Sequence, residues 1–302
     1  MSSTAPPSVS IIGALAYDQI ATTRRNLDLE ALRNAKLSSL RQDFGGCAGN
    51  IAYGCARLNA TCFPISCVGE ADCQPYVDHL ERLHIPTSGL LFLEGNSPRG
   101  IVITDPNGDQ FTGFYPGPSL DQAAWHSHLA SLTETIASSK VLVLAAYPMD
   151  QSETALKHIQ KQANRPYTIW CPGQYADMLD ANALRSLLPM ADLLVGNRWE
   201  ITHIVSEVPE LQNLTICTDG PNPIQLMQGQ EVLEAITVPE SKLVMDPTGC
   251  GDALLAGLAC HIATKASIQK QSDRHLDSIR AAVNSACKLA QECLSSEGCQ
   301  SY

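Results

Sequence analysis

A glycine-rich segment in the last fifth of the chain has the residue types needed to handle a phosphoryl group. It runs from Asp246 to Asp252, reads Asp-Pro-Thr-Gly-Cys-Gly-Asp, and is followed by an apolar stretch with helical periodicity. Two glycines that flank a small residue at a helix entrance let backbone N–H groups converge on one point. Because the positive end of the helix dipole lies behind that point, the segment predicts a cradle for a phosphoryl group.

The last residue of this segment adds a carboxylate. Asp252 falls on the first turn of the predicted helix, where we expect it to face the same point as the glycine-rich turn. A carboxylate in that place can accept a proton from an attacking hydroxyl group, and phosphoryl transfer otherwise needs mainly positioning and charge neutralisation. The alternative is that Asp252 only caps the helix, since acidic residues are common in first turns.

A second glycine-rich segment favours the chemical role. The segment 44–52 reads Phe-Gly-Gly-Cys-Ala-Gly-Asn-Ile-Ala and also leads into a helical pattern. Gly45 and Gly46 permit a ligand to approach the backbone closely, and the Asn50 amide can both donate to and accept from hydroxyl groups. No lysine follows these glycines, so the segment is not a Walker A loop, and it does not match the dinucleotide fingerprint G-x-G-x-x-G.

Together the two segments resemble the paired signatures of the ribokinase-like (pfkB) carbohydrate kinase family. They occur in the family's order, about 200 residues apart, and the resemblance covers nearly the whole chain. It implies that Asp252 is the general base and that the N–H groups of Gly249, Cys250 and Gly251 hold the transferring phosphoryl group. Pro247 and Cys250 depart from the usual threonine and alanine, but neither change removes an N–H group that the hole requires.

The resemblance also implies which residues bind the acceptor substrate. Asp18, which follows the first predicted strand, matches the acid that binds substrate hydroxyl groups, alongside Gly45, Gly46 and Asn50. From the residue type alone, Asp18 could instead be a turn residue that ends a strand.

ATP and Mg²⁺ are the cofactors that the family implies. Asn197 and Glu200 match its Asn-x-x-Glu motif, in which Glu200 would organise Mg²⁺ and the ATP phosphates largely through water. Thr218 and Gly220 match the loop that contacts those phosphates, and Asn284 lies where the family lines the adenine pocket. Activation by a monovalent cation is a further property that the family allows. By spacing alone, Asn197 and Glu200 also fit a helix capping box.

Three aromatic residues bear on the identity of the acceptor. Phe111, Phe114 and Tyr115 lie in one predicted strand of a chain with only 5% aromatic residues. A purine needs a flat apolar surface, whereas a hexose needs mainly hydrogen bonds. Since the two motifs look most like those of bacterial adenosine-kinase-type members, we expect phosphorylation of the 5′-hydroxyl group of adenosine or a related nucleoside, with Phe114 in the substrate site. A ribose- or fructose-type sugar kinase is the alternative, and the rings could instead pack the lid against the body or a partner subunit.

The elements that position these residues alternate between strands and helices. We predict an α/β fold, a mainly parallel sheet with helices on both faces, in a single domain over residues 1–302. Two strand patterns, 101–104 and 110–115, flank the turn 105–108 and predict a β-hairpin. We assign that hairpin to a small β lid inserted from about 14–45 and 88–117. Further predicted strands are 9–15, 62–68, 141–145, 167–170, 193–195 and 214–218, and the predicted helices include 49–58, 152–162, 181–188, 199–206, 252–262 and 276–293.

Composition excludes several classes of partner. The net charge of −11 opposes binding to nucleic acid or to an anionic membrane, and no run of 18 apolar residues occurs. The 12 cysteines show no metal-site spacing and predict free thiols in a reducing cytoplasm. We therefore expect small-molecule ligands and a monomer or homodimer. A nicotinamide-dependent dehydrogenase is disfavoured because the stretch 12–16, where the glycine fingerprint would be expected, has a single glycine, Gly13. A non-catalytic metabolite-binding protein is a further alternative, which the intact segment 249–252 argues against.

Overall fold

The computed structural model describes residues 8–26, 34–107, 109–241, 243–264 and 273–302, and it confirms the α/β fold. The strands are β1 Val9–Ile12, β2 Ala16–Thr23, β3 Leu37–Gly45, β4 Cys62–Gly69, β5 Leu90–Leu93, β6 Arg99–Thr104, β7 Gln110–Tyr115, β8 Val141–Leu144, β9 Tyr167–Trp170, β10 Leu193–Asn197, β11 Leu214–Thr218, β12 Ile224–Gln228 and β13 Glu231–Ile236. The helices are α1 Cys47–Arg57, α2 Gln74–Arg82, α3 Gln122–Ser131, α4 Thr133–Ser138, α5 Met149–Gln160, α6 Ala181–Leu187, α7 Arg198–Glu207, α8 Cys250–Ala263 and α9 Asp273–Leu294.

The main sheet has nine strands in the order β13-β12-β11-β10-β9-β8-β1-β4-β5. The pairs from β11 to β5 are parallel, whereas β12 and β13 form an antiparallel edge. Strands β1, β4, β8 and β9 are buried along their whole length, which explains why their sequences are continuous apolar runs rather than alternating ones. Parallel strands bring their carboxyl ends to one edge of the sheet, where ligand sites of α/β proteins form.

Helix α8 lies at the centre of one helical layer, between α1 and α9. Its residues are almost all buried from Ala253 to Ala263, as expected for a helix that is apolar on every side. A Cβ atom on Gly54 of α1 would lie 2.6 Å from Ala256 Cβ, and one on Gly257 would lie 2.5 Å from Ala286 Cα of α9. These glycines let the three helices approach closely, so the entrance of α8 is held firmly against the entrance of α1.

The second sheet is the small lid, with strand order β3-β2-β6-β7. Strands β2 and β6 are parallel, and the other two pairs are antiparallel. One row across this sheet pairs Asp43 with Asp18, Asp18 with Gly100, and Gly100 with Phe114. Because paired residues in a sheet point to the same face, Asp43, Asp18 and Phe114 share one face of the lid.

Several elements differ from the predictions. The regular alternation of strands and helices ends after β11, where a β12–β13 hairpin follows instead, and the sequence patterns also did not predict β5, α3 and α4. The first strand ends at Ile12, three residues earlier than predicted, and α9 begins at Asp273 rather than Leu276. Gly108, the last residue of the predicted hairpin turn, lies outside the described residues. All 12 cysteines are free thiols, as predicted. No helix among the described residues is long and apolar enough to cross a membrane.

Candidate active site

The two glycine-rich segments meet in the folded chain. Asn50 lies on the first turn of α1 and Asp252 on the first turn of α8, and the Asn50 Nδ2 atom donates a hydrogen bond of 2.8 Å to Asp252 Oδ2. The two side chains are thus in direct contact although they are 202 residues apart in the sequence. This contact gives the predicted base a fixed orientation.

The environment of Asp252 is that of a base for neutral pH. Burial is the main cause that raises the pKa of its carboxyl group to about 7; the hydrogen bond from Asn50 opposes this rise, and the negative charge of Asp18 contributes to it. A general base is most effective when its pKa lies near the working pH, because it must be ionised and still bind a proton well. Asp252 therefore has a property that a merely capping carboxylate would not need.

The turn before Asp252 is open on one side. Gly249 has a φ of 79°, and a Cβ atom on it would lie 2.9 Å from Cys299 Cβ, so a side chain there would be strained and crowded. At Gly251 a Cβ atom would meet nothing within 4 Å. Among the described residues the N–H groups of Gly249, Gly251 and Asp252 have no backbone acceptor, whereas the Cys250 N–H group contacts Pro247 O at 3.3 Å. The open amides thus include Gly249 and Gly251 but not Cys250, and the three-residue hole at 249–251 stays a prediction.

Asp18 lies close to the glycine pair. A Cβ atom on Gly45 would lie 2.1 Å from Asp18 Oδ2, so only glycine leaves room for this carboxylate. Burial, together with the negative charges of Asp43 and Asp246, raises the pKa of Asp18 to about 6. Asp18 is the third residue of β2 and not a turn residue, so the alternative role considered for it is wrong.

The aromatic residues of β7 do not form one surface. Phe114 shares the face of Asp18, and a Cβ atom on Gly100 between them would lie 2.9 Å from Asp18 Oδ1 and 4.0 Å from Phe114 Cε1. Phe114 is 67% exposed. Phe111 and Tyr115 alternate with Phe114 along the strand and point to the opposite face. The three rings therefore do not share one face, a single exposed ring lies beside the carboxylate, and the role of Phe114 in binding the substrate stays a prediction.

The residues assigned to the nucleotide lie at the carboxyl ends of β10 and β11. Asn197 and Thr218 are neighbours in register. Asn197 caps α7, where its side chain accepts from the Glu200 N–H group at 3.0 Å while Glu200 Oε2 accepts from the Asn197 N–H group at 3.0 Å. The capping role is therefore present, and it also fixes the Glu200 carboxylate at the edge of the sheet.

Glu200 is a buried carboxylate that suits the neighbourhood of a cation. Burial raises its pKa, and no ion pair joins it to a described lysine or arginine. The described residues contain no group of three or more acidic, histidine or cysteine side chains that could cage a metal. Mg²⁺ is commonly held by one or two carboxylates together with phosphates and water, and this arrangement fits that pattern.

Two further predicted contacts are less well defined. Gly220 has a φ of 57° with open space around it, and its neighbour Asp219 pairs with Arg198 at 2.7 Å. Asn284 is an exposed residue of α9, and its side chain makes no hydrogen bond to another described residue. The roles of Thr218, Gly220 and Asn284 in binding a nucleotide stay predictions.

The structure adds residues that sequence patterns did not indicate. The segment 295–302 folds back so that Gln300 Nε2 donates to Asn50 Oδ1 at 2.9 Å and to the Tyr76 hydroxyl oxygen at 2.8 Å. Arg41 of the lid bonds Asp43 at 2.9 Å and lies 3.6 Å from Asp246 Oδ2. Local motifs indicate neither the contacts of Gln300 nor the contact of Arg41 with Asp246, because these partners are far apart in the sequence.

Comparison with known proteins gives the family of the chain and solved structures with the same fold. The sequence profile of the family described as pfkB family carbohydrate kinase matches residues 6–302. A nucleoside kinase of Methanocaldococcus jannaschii is 24% identical over 258 residues, which cover 82% of this chain and 81% of that protein. The structure of Burkholderia thailandensis nucleoside kinase in complex with inosine superposes with a TM-score of 0.77 at 24% identity, over 97% of this chain and 93% of that one. Ribokinase from Giardia lamblia gives a TM-score of 0.80 at 16% identity, over 98% and 95%.

Proposed function

The chain belongs to the pfkB family of carbohydrate kinases, and we propose that it transfers the γ-phosphoryl group of ATP to the 5′-hydroxyl group of adenosine or a related nucleoside. Membership of the family supports the general activity, which is ATP-dependent phosphorylation of a sugar or a nucleoside. The choice of a nucleoside is supported by the lid, where an exposed aromatic ring lies beside a carboxylate.

The row Asp18–Gly100–Phe114 matches the two parts of a nucleoside. A carboxylate accepts hydrogen bonds from the ribose hydroxyl groups, and an exposed ring offers a flat apolar surface for the base. Gly100 separates the two side chains without filling the space between them. A free sugar would use Asp18 but would leave the Phe114 ring without a partner.

Asn50 has hydrogen-bonding capacity left for the same substrate. Its amide can make four hydrogen bonds, and the structure shows one from Nδ2 to Asp252 and one to Oδ1 from Gln300. The remaining N–H bond and lone pair would bind the acceptor hydroxyl groups beside Gly45 and Gly46.

The reaction needs one proton transfer and one displacement. Asp252 accepts the proton of the 5′-hydroxyl group, the hydroxyl oxygen forms a bond to the γ-phosphorus, and the bond from that phosphorus to the bridging oxygen of ADP breaks. The open N–H groups at Gly251 stabilise the negative charge that spreads over the transferring group. ATP would lie along Asn197, Thr218 and Gly220. Mg²⁺, held through water by Glu200, would supply charge neutralisation of the phosphates.

Replacement of the base tests the catalytic part of the proposal. We expect Asp252→Asn to lower kcat by about two to four powers of ten, as for the loss of a general base, while nucleotide binding measured by calorimetry changes little. Asp78→Asn, which makes the same change on the exposed side of α2, is the matched control and should leave kcat unchanged. Full activity of Asp252→Asn would contradict the assigned role and favour another base, whereas absence of kinase activity in the wild-type protein would favour a non-catalytic metabolite-binding protein.

Replacement of the Phe114 ring tests whether the substrate is a nucleoside. Phe114→Ala should raise KM for adenosine by about 5- to 150-fold, as expected when a stacking surface worth 1–3 kcal/mol is lost, and should not change KM for ribose. Phe111→Ala removes a ring from the same strand on the opposite face and is the control. Coupled assays with adenosine, inosine, ribose and fructose give the comparison. A sugar turned over far faster than either nucleoside would replace the nucleoside with the sugar alternative.

A further inference from the structure

Gln300 connects the carboxyl-terminal segment to the predicted base. Its Nε2 atom donates to Asn50 Oδ1, and Asn50 Nδ2 in turn donates to Asp252. A free asparagine amide can rotate and exchange its N–H and C=O groups. The orientation of Asn50 therefore decides whether Asp252 faces a donor or an acceptor.

The direction of this hydrogen-bond chain is fixed at a backbone carbonyl group. The Tyr76 hydroxyl group donates to Gly45 O at 2.6 Å, and a carbonyl oxygen can only accept. With its proton committed, the Tyr76 oxygen must accept from its other partner, which is Gln300 Nε2. His79 Nε2 lies 2.9 Å from Gln300 Oε1 and completes the assignment as a donor to that oxygen. Gln300 is thus held with its N–H groups towards Tyr76 and Asn50.

We propose that Gln300 is a positioning residue that holds Asn50 in the orientation in which it donates to Asp252. The inference rests on the proposed function of Asp252 as the base. It goes further because it assigns the orientation of Asn50, and with it the hydrogen bond that Asp252 receives, to Gln300, which is 250 positions from Asn50 in the sequence. With Gln300 in place, an ionised Asp252 always meets an N–H group. Without it, Asn50 can turn its oxygen towards Asp252, which stabilises the protonated carboxyl group, raises its pKa and leaves less of the ionised base at a given pH.

The other groups around Asp252 do not provide this orientation. Asp18 on β2 is the carboxylate that acts on it, and it raises rather than lowers the pKa of Asp252. His79 is kept neutral, since burial lowers its pKa. The remaining titratable neighbours are hydroxyl and thiol groups, namely Cys47 of α1, Cys171 after β9, Cys250 of α8, Cys293 of α9, and Cys299 and Tyr302 of the last segment. Among these described groups there is no cation that could replace the donor from Asn50.

An isosteric substitution separates this role from packing. Gln300→Glu keeps the size of the side chain but replaces the donor with an acceptor, so Asn50 should turn its N–H group to residue 300 and its oxygen to Asp252. We expect the acid limb of kcat/KM to move up by about one to two pH units, which corresponds to the loss of a hydrogen bond to a charged group. Gln300→Ala leaves Asn50 free to adopt both orientations and should move the limb by about half a unit in the same direction. Gln230→Glu makes the same chemical change in the β12–β13 turn and should not move it.

Two readouts keep the inference distinct from the proposed function. If the wild-type protein has no kinase activity, the proposed function fails, and the pKa of Asp252 can still be measured by ¹³C NMR titration of its carboxyl carbon, assigned with Asp252→Asn. The inference predicts the order Gln300→Glu, then Gln300→Ala, then wild type, from highest to lowest pKa. Equal pKa values, or activity lost by the same factor at every pH, would overturn it and leave Gln300 a packing role.

A second variant covers the case in which Gln300→Glu does not fold. Tyr76→Phe removes the acceptor that fixes Gln300 while introducing no charge. It should move the acid limb of kcat/KM to higher pH by less than Gln300→Ala does, and circular dichroism would check that the variant is folded. An unshifted limb in both Tyr76→Phe and Gln300→Ala would also overturn the inference.

Discussion

Gly45→Ala tests how closely the glycine pair packs against the Asp18 carboxylate, which is proposed to bind the substrate. The added Cβ atom would lie 2.1 Å from Asp18 Oδ2, 2.5 Å from Cγ and 2.9 Å from Oδ1. Ordinary contact begins at 3.4 Å, so the carboxylate must move by about 1.3 Å. A misplacement of about 1 Å at a reacting centre can reduce the rate a hundredfold, and we expect kcat/KM for the nucleoside to fall by about that factor.

The assay compares four proteins at one pH. Gly45→Ala, Asp18→Ala, the double variant and the control Gly113→Ala are measured for kcat, KM and the free energy of unfolding. In Gly113→Ala, on another lid strand, the new Cβ atom would lie at an ordinary 3.8 Å from Phe111 Cε1, so we expect wild-type kinetics. Overpacking at Gly45 should also cost about 1–3 kcal/mol of stability, which the unfolding measurement separates from the kinetic effect.

The double variant decides whether the effect passes through Asp18. All three atoms nearest to the new Cβ belong to the Asp18 carboxylate, so Asp18→Ala removes the clash. Gly45→Ala should then reduce kcat/KM by less than about twofold in the Asp18→Ala background, as expected for two coupled positions. A full hundredfold loss in that background would refute the reasoning and show that Gly45 acts through its backbone instead.

Three further predictions follow from groups around and beneath the site. Since Asp252 must be ionised to act and burial places its pKa at about 7, kcat/KM should fall tenfold per pH unit below about pH 7 and level off above it; a flat profile between pH 5 and 8 would contradict this. A hydrogen bond from Cys293 lowers the pKa of Cys250, whereas burial raises the pKa of the partly buried Cys47. Iodoacetamide should therefore alkylate Cys250 before Cys47, and ATP should slow the reaction, as peptide mass spectrometry would show. Asp192→Ala breaks a pair with Arg165 in which the two guanidinium nitrogens lie 2.6 and 2.8 Å from the carboxylate, so urea unfolding should show a loss of about 3–5 kcal/mol while KM stays unchanged at low temperature.

Local sequence patterns predicted the buried parallel strands and the glycine-rich turn before α8. The buried parallel strands are continuous apolar runs, and the turn before α8 carries glycines where a left-handed residue and an open backbone are needed. The β12–β13 hairpin was missed although the two residues Gly229 and Gln230 lie between two short strand-like runs, which is a recognisable hairpin signal. The runs are half exposed at the edge of the sheet, and the regular alternation before them favoured another helix.

The faces of the lid and the contacts of the site could be predicted only in part. Strand periodicity already separates Phe111 from Phe114, which are three residues apart and must point in opposite directions in β7. The family resemblance indicated Asp18, Asn50 and Asp252, but it did not indicate how Asn50 and Asp252 are joined. The contact of Gln300 with Asn50 depends on where the segment after α9 folds back, and no spacing along the chain encodes that position.

The distance along the chain between Asn50 and Asp252 also has a consequence for biosynthesis. At about 5–20 residues per second, a ribosome makes Asp252 roughly 10–40 s after Asn50, because 202 positions separate them. During that time the nascent polypeptide carries the glycine-rich half of the pocket, while the face of α1 that receives Ala256 at Gly54 has no partner. If Asp252 is the base, phosphoryl transfer cannot begin before that residue has been made, and until α8 follows, the face of α1 around Gly54 stays uncovered.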